Sequence, residues 1–112
     1  MPNHVHALVS VTKVPMAQFV KNWKGYTARQ CNQILEQRKG SFWSDDYFDN
    51  YIRDAEHERR TIQYIESNPV KARFVLQPAE WPWSSARFRD QNGVLRIPPL
   101  IPALPPGNGA RL

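Results

Sequence analysis

The chain has 112 residues, enough for one domain, and 41% of them are hydrophobic. Fifteen Lys and Arg against ten Asp and Glu give a net charge of +5, which favours an anionic partner such as nucleic acid. The single cysteine, Cys31, excludes an intramolecular disulfide, and no signal-peptide pattern or membrane-length apolar run occurs, so we expect a cytoplasmic protein that does not cross a membrane.

The first predicted element is a strand over about residues 3–11, with Val5 and Val9 among its apolar side chains. Residues two apart on a strand project to the same face, so His4 and His6 would lie side by side. Two neutral imidazoles at this spacing can share one divalent metal ion. The alternative is a pair of hydrogen-bonded histidines on a half-exposed strand, and these residues alone leave both interpretations open.

A helix is predicted from about 15 to 37, because Pro15 suits a first turn and apolar residues then recur at helical spacing. Gly40 follows as the expected left-handed cap. Lys21 and Lys24 lie on the face opposite the apolar stripe. They form either a solvated face or contacts to backbone phosphates, whose affinity would fall with salt.

Residues 41–52 are aromatic and irregular, and we predict a strand or extended segment over about 46–52. Three acids lie close together here. A cluster of this kind can bind a metal ion, but turn and capping roles fit it better. The three acids are Asp45, Asp46 and Asp49.

A second helix is predicted from about 55 to 67. Asp54 would be its N-cap, and Pro69 disfavours helical geometry at the residue that precedes it. Tyr64 faces away from the apolar stripe of this helix, so core packing does not readily explain it. Asn68, four residues later, would be its neighbour on the same face.

Residues 70–75 are predicted to form either a short turn of helix or an extended return. Trp81 and Trp83 most simply pin the C-terminal segment onto the core, with stacking on unpaired bases as the alternative. Ser84 or Ser85 can cap a short final helix. From about residue 91 the chain is proline-rich and without a period, which predicts an extended or disordered tail.

One mechanism would use the histidines, the tyrosine and the amide together. A metal ion held by His4, His6 and a third ligand would act as a Lewis acid on a phosphodiester. Tyr64 would attack the phosphorus and form a covalent phosphotyrosine. Since a free phenol has a pKa of about 10, this step needs positive charge nearby. Asn68 is placed to offer a carbonyl oxygen as the third ligand.

Ordered blocks of the chain resemble the REP-associated tyrosine transposases, which belong to the single-tyrosine HUH endonuclease and transposase superfamily. The resemblance covers about residues 1–90 and implies a partial domain of that family there, followed by the tail at 91–112. The blocks that carry it are Met1–His6, Gly40–Trp43, Asp46–Asp49, Ile52–Asp54, Tyr64–Ala72 and Trp81–Ala86.

The resemblance implies an α+β, ferredoxin-like fold with an antiparallel sheet and helices on one face. In the family the block at Met1–His6 follows a strand and a helix, so we expect an N-terminally truncated domain. His4 and His6 match the HUH metal ligands, and Tyr64 matches the catalytic tyrosine. Asn68 as the third ligand is our own assignment.

The implied activity is metal-dependent nicking and rejoining of single-stranded hairpin DNA through a 5′-phosphotyrosine intermediate. Mg²⁺ or Mn²⁺ would assist, no nucleotide energy source would be needed, and the protein would be a monomer or homodimer. The alternative is a catalytically inactive, truncated remnant that only binds DNA. The cations expected to contact DNA are Lys21, Lys24, Arg53, Arg60, Lys71 and Arg73.

Overall fold

The computed structural model describes residues 1–36 and 40–97. Its elements are α1 (Met16–Ile34), α2 (Ala55–Lys71) and two short 3₁₀ helices, Pro78–Glu80 and Ser85–Phe88. The chain divides into two compact units. The α1 unit is Ala7–Ala55, and the α2 unit joins Met1–His6 to the chain from Glu56 onward. The proline-rich tail was predicted for residues 91–112, and its part from residue 98 lies outside the described residues.

The predicted antiparallel sheet does not occur in the described residues, so the α+β, ferredoxin-like fold class is wrong. Neither 3–11 nor 46–52 forms a strand, and β-pairing is limited to an isolated antiparallel bridge between Arg89 and Leu95. A strand exists through hydrogen bonds to a neighbouring strand. No described segment supplies that neighbour to residues 3–11, in which Val5, Leu8 and Val9 remain exposed.

Burial is shallow throughout the described part of the chain. None of its hydrophobic side chains is buried, and the buried residues are Glu66 and Pro69. The Trp81 ring lies 5.6 Å from that of Phe74, which belongs to the same segment after α2, and Trp83 is 86% exposed, so the described residues do not show the predicted pinning of this segment onto a core.

Helix α1 begins directly after Pro15, as predicted, but it ends at Ile34. The left-handed residue at this end is Glu36 (φ 53°), whose N–H donates to the Gln33 carbonyl at 3.2 Å. The prediction that Gly40 caps the helix is therefore wrong, because the chain turns four residues earlier. The last predicted helical position, residue 37, lies outside the described residues.

Within the α1 unit, side-chain hydrogen bonds attach the loop after α1 to the helix. The Trp43 indole N–H donates to Thr27 Oγ1 at 2.8 Å, and Lys24 Nζ donates to the Asp45 carbonyl at 3.1 Å. Lys24 thus has a structural role in this unit.

Helix α2 continues beyond Pro69 to Lys71, so the predicted end at residue 67 is wrong. Proline lacks the N–H that would donate to the carbonyl four residues earlier and disfavours helical geometry at Asn68, but only Val70 and Lys71 follow it in the helix, so little of α2 depends on the interrupted position. The Ala72 N–H still donates to the Asn68 carbonyl at 3.0 Å. As a result, the helical face that carries Asn68 extends to Lys71.

A Schellman motif ends α2. The Phe74 N–H donates to the Pro69 carbonyl at 3.0 Å, and the Arg73 N–H donates to the Val70 carbonyl at 2.9 Å. Arg73 occupies the left-handed position (φ 62°), where glycine is the common residue. The motif fixes the end of the helix directly after Lys71.

Candidate functional site

One face of α2 carries three polar side chains along two helical turns. Tyr64, Asn68 and Lys71 are spaced by four and three residues, which places them on a single stripe of an α-helix. Tyr64 is 50% exposed. The stripe continues towards the helix N-terminus through Thr61, which donates to the His57 carbonyl at 2.8 Å.

The N-terminal segment of the α2 unit brings both predicted histidines to this stripe. The rings of His4 and His6 lie 4.8 Å apart at 85°, and the His6 ring lies 5.6 Å from the Tyr64 ring at 72°. His6 Nε2 is 3.2 Å from Asn68 Nδ2, across 62 residues of sequence. The four side chains that sequence reasoning assigned to catalysis and metal binding therefore meet at one place.

Hydrogen bonds assign a tautomer to each imidazole. Asn3 Oδ1 can only accept, so His4 Nδ1, at 2.7 Å, must donate to it. The Asn68 amide nitrogen can only donate, so His6 Nε2 must accept. His4 Nε2 and His6 Nε2 thus both carry lone pairs, which is the state that a metal ion requires.

The surroundings of His6 also favour the neutral imidazole. Partial burial lowers the pKa of His6 from its ordinary value. Electrostatic repulsion by His4 and by the N-terminal amine lowers it further. The His6 imidazole is therefore neutral near pH 7.

The donor set fits a divalent metal ion if the Asn68 amide completes it. The described residues contain no group of three or more His, Cys, Asp or Glu that could hold a metal. Two imidazole nitrogens are available, but Asn68 directs its Nδ2 at His6 Nε2, so its carbonyl oxygen would join them only after the amide turned and this hydrogen bond was given up for the metal ion. A set of two nitrogens and one carbonyl oxygen would leave other coordination positions for water or substrate.

The predicted DNA-contacting cations have different local partners. Arg60 donates to Glu56 at 2.8 Å, and Arg59 binds the same carboxylate. Hydrogen bonds from these two arginines lower the pKa of Glu56 to about 2. Lys71 Nζ instead lies over the Tyr64 ring, 5.1 Å from its centre. The α1 unit carries Lys21, Lys24 and Arg53, and the α2 unit carries Arg60, Lys71 and Arg73.

Sequence reasoning missed a cluster on the other side of α2. Arg89 Nε lies 2.9 Å and 2.8 Å from the two carboxylate oxygens of Glu66, and Ser85 Oγ donates to the same carboxylate at 2.7 Å. Burial alone would raise the pKa of Glu66, but the hydrogen bonds from Arg89 and Ser85 outweigh it and hold the pKa below its ordinary value. The sequence did hold a signal for this cluster, because Glu66 is an acid on the apolar side of the helix, where a buried carboxylate needs a partner.

The family model for IS200-like transposases matches residues 1–68, which is more than half of the chain. The matched part contains the four side chains of the candidate site, His4, His6, Tyr64 and Asn68. The chain belongs to the IS200-like transposase family. A Haemophilus influenzae protein assigned to the REP-associated tyrosine transposases is 24% identical over 95 residues, which cover 76% of this chain. The predicted relationship to that group is thus confirmed.

This IS200-like transposase chain spans about half of that relative, 54% of its length. No solved structure matches the chain. Among the described residues, no helix is both long and apolar enough to cross a membrane.

Proposed function

We propose that this chain carries the catalytic centre of a transposase that nicks and rejoins single-stranded hairpin DNA, with Tyr64 as the nucleophile. The supporting observation is the convergence of Tyr64, His6 and Asn68 within one compact unit, although His6 and Asn68 are 62 residues apart. A half-exposed tyrosine beside two metal-competent groups is suited to phosphodiester attack.

The proposed step exchanges one phosphodiester for another. The Tyr64 hydroxyl gives up its proton as its oxygen attacks the phosphorus, and the bond from phosphorus to the DNA 3′ oxygen breaks. The 3′ oxygen leaves with the bonding electrons and takes up a proton, while the 5′ phosphate stays on Tyr64. Attack by a 3′ hydroxyl reverses the step, so rejoining consumes no nucleotide.

His4, His6 and Asn68 would hold Mg²⁺ or Mn²⁺. The bound ion supplies Lewis-acid stabilisation of charge on the phosphate. In this proposal the chain orients its ligands through Asn3, which accepts from His4 Nδ1 and directs Nε2 towards the site.

The test is a denaturing gel of the chain with labelled single-stranded hairpin DNA, with and without Mn²⁺. We expect a metal-dependent band in which DNA is covalently attached to protein, and we expect Tyr64→Phe to abolish it. Tyr51→Phe is the matched control, because Tyr51 is an exposed tyrosine of the α1 unit, outside the α2 unit that carries the site. Covalent product from Tyr64→Phe would refute the assignment of the nucleophile.

A second candidate function is DNA binding without strand cleavage. It is favoured by the shallow burial of the described residues, none of whose hydrophobic side chains is enclosed, because catalysis needs a site held rigidly by packed neighbours. Folded, DNA-bound protein that yields no covalent band would support this candidate. Its binding should weaken steeply with salt, since the chain carries a net charge of +5.

A further inference from the structure

Lys71 contacts the ring of the proposed nucleophile. Its Nζ lies 5.1 Å from the centre of the Tyr64 ring. Side chains on an α-helix lean towards its N-terminus. A lysine seven residues after Tyr64 therefore reaches back along the stripe, past Asn68, to the tyrosine.

The ammonium of Lys71 contacts an aromatic ring, whereas other cations of the α2 unit contact carboxylates. Arg60, Arg89 and Arg96 each pair with a carboxylate. Within the described chain the charge of Lys71 faces the Tyr64 ring instead. A cation over an aromatic ring at an exposed site is held weakly, so the ammonium can exchange this contact for a phosphate oxygen, which binds it more strongly.

We propose that Lys71 binds the phosphate that Tyr64 attacks, and that it remains on the same group in the phosphotyrosine. This inference rests on the proposed function. A phosphate at the Tyr64 hydroxyl would stand next to the ammonium that already lies over the ring. The Lys71 ammonium donates hydrogen bonds to a non-bridging oxygen, where charge develops during attack. Sequence reasoning assigned Lys71 to the DNA backbone in general, whereas this geometry assigns it to the reacting phosphate.

The first experiment measures covalent attachment in a single turnover, at saturating hairpin DNA with Mn²⁺. We expect Lys71→Met to slow the step by roughly 10- to 100-fold, in the lower range for loss of one group that stabilises transition-state charge. Lys71→Arg should recover much of the rate. Lys13→Met is the control, since Lys13 is an exposed cation of the α1 unit outside the proposed site. A saturated rate for Lys71→Met equal to that of Lys13→Met would overturn the proposal.

A second experiment does not depend on cleavage. Inorganic phosphate is titrated into metal-free protein whose tyrosine rings are labelled with ¹³C, and the NMR signals assigned to Tyr64 are followed. We expect a saturable shift that needs at least about five times more phosphate in Lys71→Met, while Lys71→Arg and Lys13→Met resemble the parent. Absence of the shift in the parent, or an unchanged titration in Lys71→Met, would overturn the anion contact.

The two experiments separate the two claims. If no Tyr64-dependent covalent product forms but phosphate binding needs Lys71, the proposed function fails and the anion contact stands. If the covalent product forms at the same rate without Lys71, the proposed function stands and the role of Lys71 fails. Circular dichroism of each variant checks that α2 remains folded.

Discussion

Glu66 and Arg89 form an ion pair that is largely enclosed, with the Glu66 side chain 12% and the Arg89 side chain 26% exposed. Glu66 is two residues from both Tyr64 and Asn68, which is about 200° around a helix. The pair therefore attaches the segment around Arg89 to the back of α2, while the front of α2 carries the candidate site. Ser85 adds a hydrogen bond to the same carboxylate.

Loss of the Glu66 charge should destabilise the α2 unit. Glu66→Gln leaves the Arg89 guanidinium without its counter-charge in a partly enclosed position, and we expect a decrease of about 1–3 kcal/mol in the free energy of unfolding. Urea denaturation monitored by circular dichroism measures this change. Glu58→Gln, which removes an exposed acid from the first turn of the same helix, should cost less than about 1 kcal/mol. Equal effects of the two substitutions would contradict an anchoring role for the pair.

The same pair predicts how stability depends on pH. The pKa of Glu66 is lower in the folded chain than its ordinary value of 4.5. Its contribution to stability is therefore complete above about pH 4.5 and disappears as the pH falls through the lower folded value. The difference in unfolding free energy between parent and Glu66→Gln should be large at pH 7 and should shrink below pH 4. A constant difference across this range would show that the carboxylate charge is not the stabilising feature.

Features set by residues close together in the sequence were predicted better than contacts between distant segments. Helical periodicity located α1 and α2, and the four-residue spacing correctly placed Tyr64 beside Asn68, because helical neighbours are set by bonds within one segment. The sheet was wrong because a strand needs a partner that no single segment specifies. Glu66 and Arg89 were missed for the same reason, since 23 residues separate them.

The end of α2 shows a smaller failure of the same kind. Pro69 suggested that the helix ends at about residue 67, yet α2 continues through the proline to Lys71, and the Schellman bonds of Arg73 and Phe74 end it there. This difference decides whether Lys71 shares a face with Tyr64. The metal, DNA and catalytic roles of these residues remain predictions from the sequence and its resemblance.

The left-handed backbone conformation of Arg73 should cost stability that a glycine at this position would restore. A non-glycine residue at φ 62° costs about 1–2 kcal/mol, which glycine avoids. We expect Arg73→Gly to raise the free energy of unfolding by about 0.5–1 kcal/mol after the greater freedom of glycine in the unfolded chain is subtracted. Arg73→Val should lower it. Gly93→Ala is the reverse substitution at another left-handed position, φ 76°, and should lower the free energy of unfolding. Since a Cβ at Gly93 would meet open space, that decrease would come from backbone strain. Destabilisation by Arg73→Gly, measured in urea, would exclude a strained cap.

Asn3 should control how well the histidines bind a metal ion. Its Oδ1 accepts from His4 Nδ1 at 2.7 Å and so keeps the lone pair on Nε2. Removing a partner of this kind typically weakens metal binding about 10- to 100-fold. We expect that loss for Asn3→Leu when free Mn²⁺ is measured by electron paramagnetic resonance, whereas Asn3→Asp, which retains an acceptor, should bind at least as tightly as the parent. His57→Leu is the control for loss of a polar group on α2 outside the predicted ligand set. If Asn3→Leu binds Mn²⁺ as tightly as the parent does, His4 does not depend on Asn3 for its orientation. If the parent binds no more Mn²⁺ than a His4→Ala, His6→Ala double variant, the proposed metal site is wrong.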